Sequence, residues 1–255
     1  MLQALSWAAL GTGFTFLMTT LGAAVVFFFV EEPRPQFQRT MLGFAAGVMT
    51  AASVWSLLLP AIEQSADFGV PGWLPAAAGL LLGVGFLSAL DAVLPHLRRA
   101  KDMDLTRRQS TLLMAAITLH NVPEGMAVGL SFALAAQGGQ AAGYTAAMAL
   151  ALGIGIQNLP EGAAISLPLR QEGSSRGRAF LLGTLSGSVE PIFGILVVLV
   201  AAGVRPLMPW LLSFAAGAML YVVVEELVPQ AHSKAGTCGF VGGFLIMMIL
   251  DVALG

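Results

Sequence analysis

Two short polar strings lie within long apolar segments of this chain. Residues 120–124 read His-Asn-Val-Pro-Glu and residues 157–161 read Gln-Asn-Leu-Pro-Glu, and each string is followed by Gly-x-Ala. Each combines a carboxylate, an amide, a further imidazole or amide group and a proline. An ionisable residue in the middle of a membrane span costs about 2.5–3.5 kcal/mol on insertion scales. Two such strings therefore predict two halves of a cation site.

The spacing within each string places potential ligands together. Residues four apart share one face of a helix, so His120 lies beside Glu124 and Gln157 lies beside Glu161. The proline of each string removes its own N–H and frees the carbonyl four residues earlier, which predicts a helix break with additional backbone oxygens near the ligands. The glycine that follows each string allows two helices to approach closely.

A second set of polar residues extends the predicted site. Asn121 and Asn158 are turned toward a neighbouring position, and Glu190 precedes a proline in a later apolar segment. Imidazole with carboxylates suits Zn²⁺ and other first-row divalent ions, whereas oxygen ligands alone suit Mg²⁺ or Ca²⁺. Two divalent ions balance three buried carboxylates, so Glu124 and Glu161 could bridge two metals. Two alternatives to metal binding remain. His120 could instead only hydrogen-bond across helices, and Glu190 could be an isolated neutral acid.

Composition indicates the class of protein that must position these residues. The 255 residues are 57% hydrophobic and 10% charged, against roughly 25% charged in soluble domains. Because about 20 apolar residues cross a bilayer, the sequence predicts an all-α integral membrane protein with one transmembrane domain over 1–255 and a basic loop at 96–110. We predict eight spans, at about 5–30, 40–61, 72–95, 111–136, 142–168, 179–203, 206–230 and 237–254.

Basic residues set the predicted orientation. Eleven of the twelve Lys and Arg residues lie in the connections that follow spans 1, 3, 5 and 7. Only Arg205 lies in a connection that follows an even-numbered span, between spans 6 and 7. The positive-inside rule then places those four connections in the cytoplasm and both termini outside. We therefore expect a multi-pass protein of the cell's inner membrane, in contact with the lipid bilayer.

An internal repeat is visible in the spans. Span 2 contains Phe-Ala-Ala-Gly-x-Met at 44–49 and span 7 contains the same pattern at 214–219. Spans 1 and 6 share Leu-Gly-Thr and later Gly and Val-Val positions. Because spans 2 and 7 run in opposite directions, spans 1–3 and 6–8 form an inverted repeat around the antiparallel pair of spans 4 and 5. This 3+2+3 plan is typical of secondary transporters.

Further acidic residues lie toward the two ends of the predicted path. Glu63 and Asp67 follow span 2 on the outer side, where they could attract cations to an entrance or simply form a solvated loop. Glu225, Glu226 and His232 lie at the inner end of span 7. They could form an exit site, or pair with the basic loops.

Two other functional classes compete with a carrier. A cation channel could use the same carboxylates, although the inverted repeat favours alternating access. An intramembrane metalloprotease would need His-Glu-x-x-His, which the sequence lacks. We therefore predict a protein that is not an enzyme, with no organic cofactor and no nucleic-acid partner. The sequence leaves the oligomeric state open, a homodimer included.

At the two strings the chain resembles the ZIP (Zrt/Irt-like) metal transporters, in particular their bacterial GufA-like branch. The resemblance implies a cargo of Zn²⁺, with Cd²⁺, Fe²⁺ or Mn²⁺ as other candidates, carried into the cytoplasm by an elevator-like motion. It also implies two metal positions. One would use His120, Glu124, Gln157 and Glu161 near Met49, and the other would use Asn121, Glu124, Asn158, Glu161 and Glu190.

The chain departs from that family at two ligand positions. Gln157 stands where many members have His, and Asn158 stands where some have Asp. One anionic ligand fewer should weaken the second metal position. The loop at 96–110 is often rich in histidine in the family, but here it contains a single histidine, His96.

Overall fold

The computed structural model describes residues 2–28, 35–97, 105–138, 141–171, 173–203 and 205–254. The regular structure in these ranges is helical, with no strand among the described residues, which confirms the predicted all-α class. The α-helices are α1 (Leu2–Ala24), α2 (Pro35–Ala52), α3 (Leu59–Ser65), α4 (Trp73–Leu97), α5 (Leu105–Gly138), α6 (Ala141–Gln171), α7 (Arg176–Gly187), α8 (Val189–Gly203), α9 (Met208–Val222), α10 (Val228–Ala231) and α11 (Lys234–Leu254).

Six segments in the described part of the chain are long and apolar enough to cross a membrane. They are Leu2–Phe27, Pro35–Phe68, Trp73–Leu90, Arg176–Ala201, Met208–Ala231 and Lys234–Ala253. Helices α5 and α6, which carry the two polar strings, have 34 and 31 residues and are not among the six. Both exceed the length that a bilayer requires, so the count of eight spans stays a prediction.

The predicted basic loop at 96–110 is shorter in the structure. Helix α4 continues to Leu97 and helix α5 already begins at Leu105. The basic residues Arg107 and Arg108 therefore belong to the first turn of α5. The intervening residues 98–104 lie outside the described part of the chain.

The two Phe-Ala-Ala-Gly-x-Met segments make equivalent contacts with different helices. Helix α2 packs on α11, where a Cβ atom added at Gly243 would lie 2.1 Å from the Phe44 carbonyl oxygen. Helix α9 packs on α4, where a Cβ atom added at Gly83 would lie 2.1 Å from the Phe214 carbonyl oxygen. Only glycine permits such an approach. The same local sequence thus produces the same packing twice, which supports the internal repeat.

A π-helical turn follows each of these segments. The turns are Ser53–Leu58 after α2 and Val223–Leu227 after α9, and a proline lies two residues beyond each. A π turn places one additional residue in the helix and occurs often at functional sites. The first turn contains Ser56, and the second contains Glu225 and Glu226.

The helix breaks differ from those predicted at the two strings. Helices α5 and α6 continue through Pro123 and Pro160. A proline removes one hydrogen bond, and buried residues flank both prolines, among them Asn121 and Ala127 on α5 and Gln157 and Ile165 on α6. The break occurs instead at Ser188, between α7 and α8. Pro191 then lies in the first turn of α8, where its missing N–H would have had no helical partner.

Candidate metal site

Three helices bring three carboxylates into the interior. Glu124 lies on α5, Glu161 on α6 and Glu190 on α8, at the start of the helix that follows the break. Glu124 and Glu190 are fully buried, and Glu161 is 7% exposed. The predicted amide ligands of both strings are also fully buried, namely Asn121, Gln157 and Asn158.

Hydrogen bonds between side chains connect the three helices. The Gln157 amide nitrogen donates to Oε1 of Glu124, which links α6 to α5. The Asn158 amide nitrogen donates to Oε2 of Glu190 over 2.9 Å, which links α6 to α8. The Asn121 amide nitrogen donates over 3.0 Å to the Ser186 carbonyl oxygen near the end of α7. Each of the three amides therefore uses its nitrogen in a contact with a different helix.

The oxygen atoms of these three amides, and one oxygen each of Glu124 and Glu161, are left without hydrogen-bond donors. Buried polar atoms in folded proteins almost always have a hydrogen-bond partner. Within the described part of the chain, five buried oxygen atoms of the two strings have none: Asn121 Oδ1, Glu124 Oε2, Gln157 Oε1, Asn158 Oδ1 and Glu161 Oε2. Amide oxygens and the oxygens of an ionised carboxylate only accept hydrogen bonds, so a bound cation can satisfy all five.

The repulsion among the buried carboxylates also favours a bound cation. Glu124 lies close enough to Glu161 and Glu190 for mutual repulsion, and Glu161 is repelled in turn by Glu226. Buried like charges are costly unless a counter-charge accompanies them. A divalent cation among these carboxylates would offset their repulsion. It would also coordinate the oxygen atoms that have no hydrogen-bond donor.

The carboxylates are spread over several helices rather than clustered tightly. Among the described residues, no three His, Cys, Asp or Glu side chains are grouped closely enough to hold a metal ion by themselves. The amide oxygens of both strings are buried beside the carboxylates and are further candidate ligands. The prediction for the His120 side chain falls outside what the structure describes.

The glycine after each string brings its helix against a neighbour. A Cβ atom at Gly125 would lie 2.3 Å from the Glu190 carbonyl oxygen, and one at Gly162 would lie 2.0 Å from the Thr19 carbonyl oxygen. Both distances are far below van der Waals contact. Each string thus needs glycine at this position so that α5 can reach α8 and α6 can reach α1.

The predicted entrance residues line a large cavity. Glu63 and Asp67 border a space of about 900 Å³ together with Ser131 of α5 and Asp251 of α11. Ser131 lies seven residues from Glu124, which corresponds to about 10 Å along a helix. The Asp251 carboxylate accepts a hydrogen bond from Ser56 over 2.6 Å.

A smaller pocket lies on the opposite side of the site along α6. It has a volume of about 60 Å³ between α2 and α6, and its lining includes Pro160, Glu161 and Pro168. The large cavity contacts the first half of α6, at Gly143 and Ala147. The two spaces therefore meet α6 at different points along its length, and the smaller one reaches the second string at Pro160 and Glu161.

The predicted exit residues and Met49 differ in how deeply they are buried. Glu226 is half-buried and interacts electrostatically with Glu161, whereas Glu225 and His232 are exposed. Met49 is fully buried in the main hydrophobic core, where its carbonyl accepts a hydrogen bond from Ser53. Its role as a metal ligand stays a prediction.

The sequence did not predict the contact between helix α1 and Glu190. Helix α1 buries Thr12, Thr15 and Thr19, and the Thr19 hydroxyl donates to Oε1 of Glu190 over 3.1 Å. The signal was present in the sequence, because hydroxyls at positions i, i+3 and i+7 share one face of a helix. Threonine is common in membrane helices, however, and only the packing shows which face meets the carboxylate.

Comparison with known proteins identifies the family. The family model described as "ZIP Zinc transporter" matches residues 96–251. The chain is 36% identical to Zinc transporter ZIP11 of Homo sapiens, over 97% of both chains. It is 39% identical to Zinc transporter GufA of Myxococcus xanthus, over 93% of this chain and 94% of that one. It is also 37% identical to Zinc transporter ZIPB of Bordetella bronchiseptica, over 98% and 82%.

These relatives are transporters rather than enzymes, and they match nearly the whole chain. The resemblance suggested by the two strings is thereby confirmed. The chain is a multi-pass membrane protein that belongs to the ZIP family of metal transporters.

Proposed function

We propose that this protein imports a divalent transition metal, with zinc as its principal cargo, into the cytoplasm. The observation that carries the proposal is the group of five buried oxygen atoms without donors, all from the two strings. The three relatives named above are zinc transporters, which supports the choice of metal. Cd²⁺, Fe²⁺ and Mn²⁺ have similar ligand preferences and are the competing cargoes.

The ligands divide into two neighbouring positions. The first position would lie between α5 and α6, which is supported by the hydrogen bond between Gln157 and Glu124, and His120 and Glu161 would complete it. The second position would lie between α6 and α8 and would include Asn121, and the hydrogen bond between Asn158 and Glu190 supports it. Glu124 and Glu161 would then bridge the two metals.

Alternating access fits the position of the site between two spaces. The large cavity with Glu63 and Asp67 would be the outer entrance, and the pocket that reaches Glu161 would lead to the cytoplasm. Neither space contacts all of the ligands. Movement of α5 and α6 relative to α2 would open the site to one side at a time. This orientation has both termini outside an inner membrane that is crossed eight times.

Uptake into proteoliposomes tests the proposal. Radioactive zinc should enter in a saturable manner, and unlabelled Cd²⁺, Fe²⁺ and Mn²⁺ should compete more strongly than Mg²⁺. Vesicles containing the double variant Glu124→Gln, Glu161→Gln are the matched control and should show only background uptake. A flux that rises linearly with zinc concentration without saturation would instead indicate a channel. Equal competition by Mg²⁺ would contradict transition-metal selectivity.

A further inference from the structure

Glu190 differs from the other two carboxylates because both of its oxygen atoms already have donors. Oε2 accepts from the Asn158 amide over 2.9 Å, and Oε1 accepts from the Thr19 hydroxyl over 3.1 Å. Glu124 and Glu161 each keep one oxygen without a donor. Glu190 is thus held by donors from two other helices, Asn158 of α6 and Thr19 of α1.

Thr19 occupies a crowded junction that fixes its own position. Its carbonyl oxygen lies against Gly162, directly after the second string. Its side chain lies against Gly187, where an added Cβ would be 2.9 Å from the Thr19 Cβ and Cγ2 atoms. Gly187 is the last residue of α7, just before the break that precedes Glu190. Thr19 therefore contacts both the second string and the interrupted helix.

The hydroxyl of Thr19 has two acceptors within reach. Besides Glu190 it lies 3.3 Å from the Thr15 carbonyl oxygen of its own helix. A hydroxyl carries one hydrogen, whereas a carboxylate oxygen can accept two contacts. A metal ion can therefore bind Glu190 while Thr19 continues to donate to it. Hydrogen bonds of this kind orient metal ligands, and their loss typically costs 10–100-fold in metal affinity.

From these contacts we infer that Thr19 of α1 is a positioning residue that holds Glu190 in place for the second metal position. The inference rests on the proposed two-metal site and adds a residue outside both strings. It predicts a selective effect. Loss of the hydroxyl weakens the second position and leaves the first, which is built on Glu124 and Gln157, unchanged.

The test is zinc titration of the purified full-length protein by isothermal calorimetry, with bound zinc per chain counted by mass spectrometry. Thr19→Val preserves the side-chain shape and removes the hydroxyl, while Thr19→Ser keeps the hydroxyl and removes the methyl group. Thr12→Val is the matched control, because Thr12 lies on the same buried face and donates to the Ala8 carbonyl over 2.7 Å. Thermal unfolding without zinc checks that each variant is folded.

We expect Thr19→Val to raise the dissociation constant of the second zinc by about tenfold and to leave that of the first unchanged. Thr19→Ser and Thr12→Val should bind both ions as the unmodified protein does. Normal binding of the second zinc by Thr19→Val would overturn the inference, as would equal weakening of both positions. If the unmodified protein and every variant bind a single zinc, the second position is absent and the inference fails with it. Loss of all zinc binding in the unmodified protein would refute the proposed function itself.

Discussion

The Gln157 amide nitrogen donates a hydrogen bond to the Glu124 carboxylate, and by this contact the two strings meet. The two residues are 33 positions apart in the sequence and belong to different helices, α5 and α6. Glu124 keeps its other oxygen free, and Gln157 keeps its carbonyl oxygen free. The contact thus aligns two potential ligands while leaving both able to bind a cation.

Neutral versions of the bridging carboxylates should lose zinc. Glu124→Gln and Glu161→Gln preserve size but remove the negative charge that balances the metal. Since loss of an outer hydrogen bond already costs 10–100-fold in metal affinity, we expect at least about a 100-fold loss here. Zinc should raise the unfolding temperature of the unmodified protein and leave that of each variant unchanged. Normal zinc uptake by either variant would contradict the site.

Replacement of Gln157 by glutamate should couple stability to the metal. Gln157→Glu removes the donor to Glu124 and places a second carboxylate beside it in a buried position. Repulsion should lower the unfolding temperature in the presence of a chelator. Zinc should then stabilise this variant more than the unmodified protein, because it binds an additional negative ligand. Thermal unfolding with and without zinc measures both effects. An unchanged zinc response would show that Gln157 is not at the metal.

The glycine after the second string should tolerate no side chain. Gly162→Ala places a Cβ atom 2.0 Å from the Thr19 carbonyl oxygen, so α1 and α6 must separate. We expect a loss of about 1–3 kcal/mol in stability, as for other overpacked sites, together with loss of uptake. Gly13→Ala is the matched control in a neighbouring helix, because its Cβ meets no atom within 4 Å. That substitution should be neutral or slightly stabilising, since alanine favours helices. Equal unfolding temperatures for the two variants would refute the close contact.

Charge reversal at the large cavity should slow zinc capture. Glu63 and Asp67 are exposed and line the cavity that we propose as the entrance. Glu63→Lys and Asp67→Lys should raise the KM for zinc uptake by about tenfold at low ionic strength, with kcat unchanged. The effect should shrink as salt is added, because exposed charges are screened. Glu63→Asp, which retains the charge, is the control. A change that is independent of salt would point to a structural role instead.

Several properties follow from the sequence alone, because they depend on local patterns. Long apolar segments predict membrane helices wherever they occur, and the all-helical structure agrees. The spacing within each string predicts the shared face of its ligands, since helical periodicity involves only residues one turn apart. The family resemblance rests on the same strings, and the comparisons confirm it.

Only the tertiary structure shows how those ligands are used. Which oxygens lack donors depends on where each amide nitrogen finds an acceptor, and for Asn158 that acceptor is Glu190 on another helix. The prolines of the strings predicted breaks in α5 and α6, yet the chain breaks at Ser188. Packing on both sides decides whether a helix survives the loss of one hydrogen bond. The contact between Thr19 and Glu190 joins residues 171 positions apart. Helical periodicity fixes a residue's face on its own helix, but the helix that this face meets is decided by packing across the whole bundle.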